Sequence, residues 1–244
     1  MRTHLFSTLI VGTLILLGLK GTSLGDVVIS PPESLVTISD PLMMWLRCAV
    51  VCASGLIYWG GVWVQAKRIR RKIGRTPNIR PRGTRERLLW LGWTIVVIGW
   101  IAQPLLLNGK NPGGVLFGLC PDLSHPVALW AGIAIIVLGY LGTLWCYAAM
   151  GAAWRIGIDT EKTASLVETG PYRRMRHPIY SFQMVMLIGA LLLLPTLASV
   201  AILLLHFICA SIKAGDEEKH LTVVYGDEYL AYRGRSGKFF PRFW

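Results

Sequence analysis

Apolar runs about as long as a membrane is thick alternate along this chain with short stretches crowded with Lys and Arg. The runs are Leu42 to about Val64, Leu88 to about Leu107 and Pro126 to about Met150, and each reads as a transmembrane helix. Ahead of them, Met1-Arg2-Thr3-His4 precedes a shorter run from Leu5 to about Leu19. That run suits a first membrane helix. Its basic start and the Ser23-Leu24-Gly25 stretch also suit a cleaved signal peptide, and the membrane span that follows favours the helix. Only 16% of the residues are charged and 53% are hydrophobic, against about a quarter charged in soluble domains. The formal net charge of +12 does not point to nucleic acid. Its cations lie between apolar spans, where the positive-inside rule accounts for them.

The densest basic stretch, Lys67 to Arg87, holds ten Lys or Arg residues and a single acid, Glu86. It reads as a cytoplasmic loop, with contact to anionic headgroups as a further use. The loop Asn108 to Ser124 is rich in Gly and Pro and nearly uncharged, as an outer loop should be. Trp154 to Pro178 is polar and basic again, which returns the chain to the cytoplasmic face after two spans. Arg47 sits near a span end and is expected to snorkel to the interface. Trp90, Trp93 and Trp100 are expected as interface anchors. The cysteines, Cys48, Cys52, Cys120, Cys146 and Cys209, lack the spacing of a disulfide scaffold or zinc site, so no metal is implied.

Ile179 to Ile212 is apolar for 34 residues, with Pro195 near its middle. That is too long for one untilted span of about 20 residues and too short for two. A single kinked span would place the polar stretches at its two ends on opposite sides of the membrane. A hairpin of two short helices, each about 24 Å long at 1.5 Å per residue, brings them together and leaves a thin place in the membrane. The hairpin is the expected form. The tail looks helical from Gly215, with Glu217, Glu218, Leu221, Val224, Tyr225, Tyr229 and Tyr232 at three- and four-residue steps. The fold class is therefore all-α and polytopic: about four full spans, a short helical hairpin and a cytoplasmic C-terminal helix. Residues 1–150 form the N-terminal transmembrane part and 151–244 the functional core.

The hairpin is flanked by the two stretches richest in chemistry. Before it runs Gly170-Pro171-Tyr172-Arg173-Arg174-Met175-Arg176-His177-Pro178-Ile179-Tyr180, and after it Glu217-Glu218 leads to Tyr225-Gly226-Asp227-Glu228-Tyr229. Arg176 and His177 can bind a carboxylate or phosphate through charge-assisted bonds. Pro178 starts the next helix, whose N-terminus faces the same anion. Tyr172 and Tyr180 offer flat faces to an adenine or a sulfonium cation. Glu217 and Glu218 can hold an ammonium group or orient a ribose hydroxyl. Arg173 and Arg174 read as topogenic charge, and His206, inside an apolar run, as a satisfied packing residue. No Gly-x-Gly-x-x-Gly motif is present, which excludes a soluble Rossmann nucleotide site.

Leu166-Val167 leading into Gly170-Pro171-Tyr172, then Arg176-His177-Pro178-Ile179-Tyr180, resembles the cofactor loop of isoprenylcysteine carboxyl methyltransferases and the related phospholipid methyltransferases. Glu217-Glu218 followed by Leu221, Tyr225-Gly226, Tyr229, Tyr232 and Pro241 resembles the same family's C-terminal signature, and Trp154-Arg155-Ile156-Gly157-Ile158-Asp159 is similar to a stretch of its bacterial members. The resemblance covers residues 150 to 244. It implies an integral-membrane methyltransferase that uses S-adenosylmethionine entering from the cytoplasm. Its acceptor would be lipid-like or lipidated, methylated on a carboxylate oxygen or an amine. By position, Ser165, Leu166, Val167 and Tyr172 would line the cofactor, His177, Pro178, Ile179 and Tyr180 would hold its amino-acid part, and Glu217 would anchor it further. Arg176 and Glu218 are the expected catalytic pair, with Glu218 taking the proton of an amine acceptor. Where the family often carries an arginine against the acceptor carboxylate, this chain has Lys213, which keeps the charge without the bidentate fork. The resemblance implies a multi-pass protein of a bacterial inner membrane, or of the endoplasmic reticulum, with its site on the cytoplasmic face. Membrane sterol reductases, which bind NADPH, look similar around Arg-His-Pro-x-Tyr, but the glutamate pair and the small size favour a methyltransferase. A non-catalytic membrane protein is the remaining alternative, in which His177 and Glu217 serve topology alone.

Overall fold

The computed structural model describes residues 41–74, 83–107, 114–119, 125–154 and 165–242. The expected first helix at Leu5–Leu19, Cys120 and the Arg155–Asp159 stretch lie outside the described residues. In chain order the helices are α1 (Pro41–Ile73), α2 (Thr84–Leu106), α3 (Pro126–Met150), α4 (Pro178–Leu193), α5 (Leu197–Tyr225) and α6 (Asp227–Arg235). Single helical turns lie at Gly114–Phe117, Gly151–Ala153 and Gly170–Arg173. Among the described residues there is no strand, and α1, α2, α3 and α5 are long and apolar enough to cross a membrane. The chain is an all-α, polytopic membrane protein, as the apolar runs require.

The hairpin forms, but its arms are unequal. Pro178 opens α4 and Leu194 ends it, so α4 has 16 residues, about 24 Å. Pro195 breaks the chain, and Thr196 caps α5 by accepting from the Ser199 N–H at 3.0 Å. α5 then runs 29 residues, straight through Gly215, where a separate tail helix was expected to begin. A glycine inside a helix is tolerated when the neighbouring turns are bound. The break comes at Gly226, whose φ of 56° only glycine adopts readily. α1 likewise continues past Val64 through the basic residues to Ile73, so the Lys67–Lys72 cations ride on helix and not on loop.

Small residues set the helix spacing. In lipid there is no hydrophobic drive between helices, so close backbone approach supplies the attraction. A Cβ at Gly132 would lie 2.9 Å from the Gly189 carbonyl, and one at Gly139 would lie 2.7 Å from the Phe182 carbonyl. α3 and α4 therefore touch backbone to backbone. α2 meets α5 through a glycine set against a side chain, since a Cβ at Gly92 would come within 2.6 Å of Cys209 Sγ. The core between them holds Val51, Tyr58, Val96, Trp100, Ile136, Met186 and Leu187. Ile57, Leu91, Ile98, Leu138, Trp145 and Leu204 point outward, as lipid-facing residues should.

Arg47 does not snorkel. It is 5% exposed, and its guanidinium donates to the Leu193 carbonyl at the end of α4 and the His125 carbonyl before α3, each at 3.1 Å. These carbonyls belong to helix ends and to the chain beside them, where intrahelical partners run out. Gln103 serves the same turn by donating to Thr196 Oγ1 at 2.8 Å and Ser199 Oγ at 2.6 Å. Trp100, expected as an interface anchor, is buried and donates to Ser54 Oγ at 3.0 Å.

The backbone contact of α3 with α4 generates a test. Gly139→Ala forces a Cβ to within 2.5 Å of Met186 Cγ as well as onto the Phe182 carbonyl, and should cost about 1–3 kcal/mol of stability. Gly60→Ala, with nothing within 4 Å of its Cβ, should leave stability unchanged or raise it slightly. Thermal unfolding in detergent compares the two; equal effects would overturn the packing account.

Candidate functional site

At the head of α4 the chain is stitched to the tail that follows α6. The Arg176 N–H donates to the Gly237 carbonyl at 2.8 Å, the Gly237 N–H to the Arg174 carbonyl at 2.9 Å, and the His177 N–H to the Lys238 carbonyl at 3.1 Å. This is an isolated parallel bridge in an otherwise helical protein. A side chain at Gly237 would fall on the Phe240 carbonyl oxygen, so only glycine fits there. Ser181 Oγ donates to the Phe239 carbonyl at 2.6 Å. Tyr232, on α6, reaches back and donates to the Tyr172 carbonyl at 2.7 Å and the Met175 carbonyl at 3.2 Å. Residues 236–239 thus form a strap across the 170–180 loop.

Beneath the strap lie the two carboxylates. Glu218 Oε1 accepts from Arg176 Nε at 2.8 Å and lies 3.2 Å from His177 Nε2. Glu217 Oε1 accepts from the Tyr180 hydroxyl at 2.9 Å, while its Oε2 lies 3.4 Å from His177 Nδ1. Both imidazole nitrogens thus face carboxylate oxygens, which favours the doubly protonated ring. Burial alone would lower the His177 pKa, but hydrogen bonds to Glu217 and Glu218, and their charges, raise it above its ordinary value. The Tyr180 ring lies parallel to the imidazole, with centroids 5.9 Å apart. Arg176 is held at two of its nitrogens: besides the Nε bond to Glu218, its Nη1 donates to the carbonyls of Ser236 and Arg233. The Glu217 side chain keeps 24% of its surface exposed against 11% for Glu218, so Glu217 is the carboxylate with more room for a ligand.

The other expected site residues are spread around this centre. Tyr172 is buried, and burial pushes its phenol well above the ordinary range, so it stays neutral. Pro178 is buried, whereas Ile179 packs against Ile69, Tyr147 and Trp154 on the far side of α4 from the carboxylates. Ser165 is exposed, and Leu166 and Val167 are half-buried, ahead of the loop. Lys213, one turn before Glu217, is buried and pairs with Glu86 at 3.4 Å. Asp216 pairs with Arg85 at 3.0 Å. The first turn of α2 therefore covers the site. Sequence reasoning placed Arg85 and Glu86 in a topogenic loop and Trp93 among the interface anchors, yet Trp93 packs on Tyr180 with centroids 5.8 Å apart. Spacing along the chain carries no signal for such contacts; only the α2–α5 packing brings them in.

Residues 127–228 match the phospholipid methyltransferase family profile. The matched segment runs from the start of α3 into α6 and contains the loop and both glutamates; the 236–239 strap lies beyond it. The chain is 32% identical over 129 residues to a nickel-cobalt-cadmium resistance protein of Alcaligenes xylosoxydans xylosoxydans, covering 52% of this chain and 60% of that one. It is 31% identical over 153 residues to a cobalt-zinc-cadmium resistance protein of Cupriavidus metallidurans, covering 62% of each. An uncharacterized protein of Bacillus subtilis is 33% identical over 75 residues, or 30% of this chain and 42% of its own. The matches thus span 60 and 62% of the length of the first two curated relatives. Among solved structures, the eukaryotic intramembrane Ras methyltransferase (isoprenylcysteine carboxyl methyltransferase) aligns with a TM-score of 0.44 and 19% identity, over 67% of this chain and 54% of that chain.

The clamped imidazole makes stability depend on pH. Because the folded pKa is raised, the contribution of the His177–carboxylate pair is complete below the unfolded value of about 6.5 and is lost as pH climbs through the raised value. The melting temperature of the native protein should therefore exceed that of His177→Gln by more at pH 6 than at pH 9 (roughly the limits of His titration). A gap that stays constant across that range would show that the His177–carboxylate pair does not titrate within it.

Proposed function

We propose that this chain is an integral-membrane methyltransferase that takes its methyl group from S-adenosylmethionine and passes it to a lipophilic acceptor at the cytoplasmic face of a bacterial inner membrane. The observation that carries the reading is the meeting of His177 and Tyr180 with Glu217 and Glu218, within the segment that matches the phospholipid methyltransferases. We assign the functional core to residues 151–244, seated on α3.

The donor set fits the proposed cofactor. Its amino-acid part needs an anion for the ammonium and cations for the carboxylate; the half-exposed Glu217 offers the first, and His177 with the start of α4 at Pro178 and Ile179 offers the second. Tyr172 and Tyr180 provide aromatic surface for a sulfonium or an adenine, and Ser165, Leu166 and Val167 line the approach. S-adenosylmethionine, when bound, supplies an electrophilic methyl group. The chain's own residues then orient and exclude water, which is what an in-line displacement asks of a protein. Arg176, locked to Glu218 and the strap carbonyls, positions the strap over the loop. Lys213 supplies a cation toward the acceptor, already partly balanced by Glu86. Glu218 Oε1 is engaged by two cationic groups, which leaves it poorly placed to take a proton from an amine. An oxygen acceptor suits the site better than a nitrogen one.

Calorimetry on the detergent-purified chain tests the reading. S-adenosylhomocysteine should bind and NADPH should not, and His177→Ala or Glu217→Ala should each weaken binding about tenfold or more, on the order of 1.4 kcal/mol. Binding of NADPH in place of S-adenosylhomocysteine would make the chain a reductase. Binding of neither by folded protein would make it non-catalytic.

A further inference from the structure

Just below the clamped imidazole, three buried polar groups lack a partner. Trp93 Nε1 on α2, Gln183 Nε2 on α4 and His206 Nδ1 on α5 make no hydrogen bond among the described residues. All three belong to residues around Tyr180. Trp93 packs on its ring at 5.8 Å, His206 Nε2 lies 3.4 Å from its carbonyl, and Gln183 follows one turn deeper on the same side of α4. The close approach of Gly92 to Cys209 holds the Trp93 and His206 segments together. His206 is fully buried and Gln183 is 4% exposed, so the satisfied packing role expected of His206 is not what the structure shows. Leaving such groups unpaired in the apolar interior is costly, and three around one residue call for a common ligand.

The chemistry of that ligand follows from the protons. A carbonyl only accepts, so His206 Nε2 must carry the hydrogen toward the Tyr180 carbonyl. In the neutral ring, Nδ1 is then a lone pair in search of a donor. Trp93 Nε1 and Gln183 Nε2 are donors in search of an acceptor. We propose that these three side chains form a subsite for a hydroxyl group, phenolic or alcoholic, on a lipophilic molecule that enters from the membrane. A hydroxyl donates to Nδ1 and accepts from the indole and amide. A carboxylate or an ester would satisfy the two donors and leave His206 unmet. The subsite adjoins Tyr180, so, resting on the methyltransferase reading, it names the acceptor as a membrane-soluble alcohol or phenol.

The test uses para-decylphenol and its methyl ether, para-decylanisole, as probes against the full chain in nanodiscs, with S-adenosylhomocysteine titrated into the same samples. The phenol should bind about tenfold tighter than the ether, since a site built to bond a hydroxyl rejects the analogue lacking it. His206→Phe should abolish that preference. Gln183→Met should weaken both probes and keep the preference, because both present an oxygen acceptor; it also serves if His206→Phe fails to fold. Equal binding of the two probes, a preference that survives His206→Phe, or binding of neither probe would overturn the subsite and assign these polar atoms to buried water. Loss of the preference with S-adenosylhomocysteine still bound sinks the subsite alone. A preference without S-adenosylhomocysteine binding sinks the cofactor reading alone.

Discussion

Two successive carboxylates on α5 hold one imidazole at the head of α4, and the rest of the architecture makes that contact possible. Glu217 and Glu218 come from a helix that begins beyond the far end of α4, so they reach His177 only because the chain turns back at Pro195. The turn at Pro195 bonds locally through Leu194, Thr196 and Ser199, but the Leu193 carbonyl and the two hydroxyls also take donors from other helices. Arg47 and Gln103 supply partners from α1 and α2. A cation and an amide buried at one end of the bundle therefore support a charge cluster at the other. Neither could be left unpaired in hydrocarbon.

The same logic explains the strap. A loop of three arginines in four residues would repel itself and splay toward water. Pairing of Arg176 and His177 with the backbone of Gly237 and Lys238 holds it instead as a short ladder, with Arg176 turned inward onto Glu218. Arg173 and Arg174 remain exposed, available to water or headgroups. One sequence motif thus divides its cations between two tasks.

Much of this was legible in the sequence because it depends on length and local pattern. Apolar runs of span length gave helices, and a run of 34 residues around Pro195 gave the hairpin. The stretches at its two ends gave the two halves of the site. What escaped depends on which helices become neighbours. Arg47 read as a snorkelling residue because nothing nearby in sequence names the carbonyls of His125 and Leu193 as its partners. Trp93 and Glu86 gave no sign of facing Tyr180 and Lys213. The strap was hidden because four residues around a glycine have no periodicity to detect. Continuity of α5 through Gly215 was missed because glycine weakens a helix without forbidding it.

The disparity between α4 and α5 has a mechanical consequence. α4 spans about 24 Å, less than the roughly 30 Å hydrocarbon core, while α5 is an unbroken rod pivoted on the Thr196 turn and bearing the carboxylates near its far end. Bilayer thickness acts on helix tilt. Tilting a rigid rod about one end displaces points more the farther they lie from it, and Glu217 and Glu218 lie about 20 residues along α5, some two turns before its end at Tyr225. A change of tilt in α5 that left α4 in place would shift those carboxylates relative to the imidazole on α4.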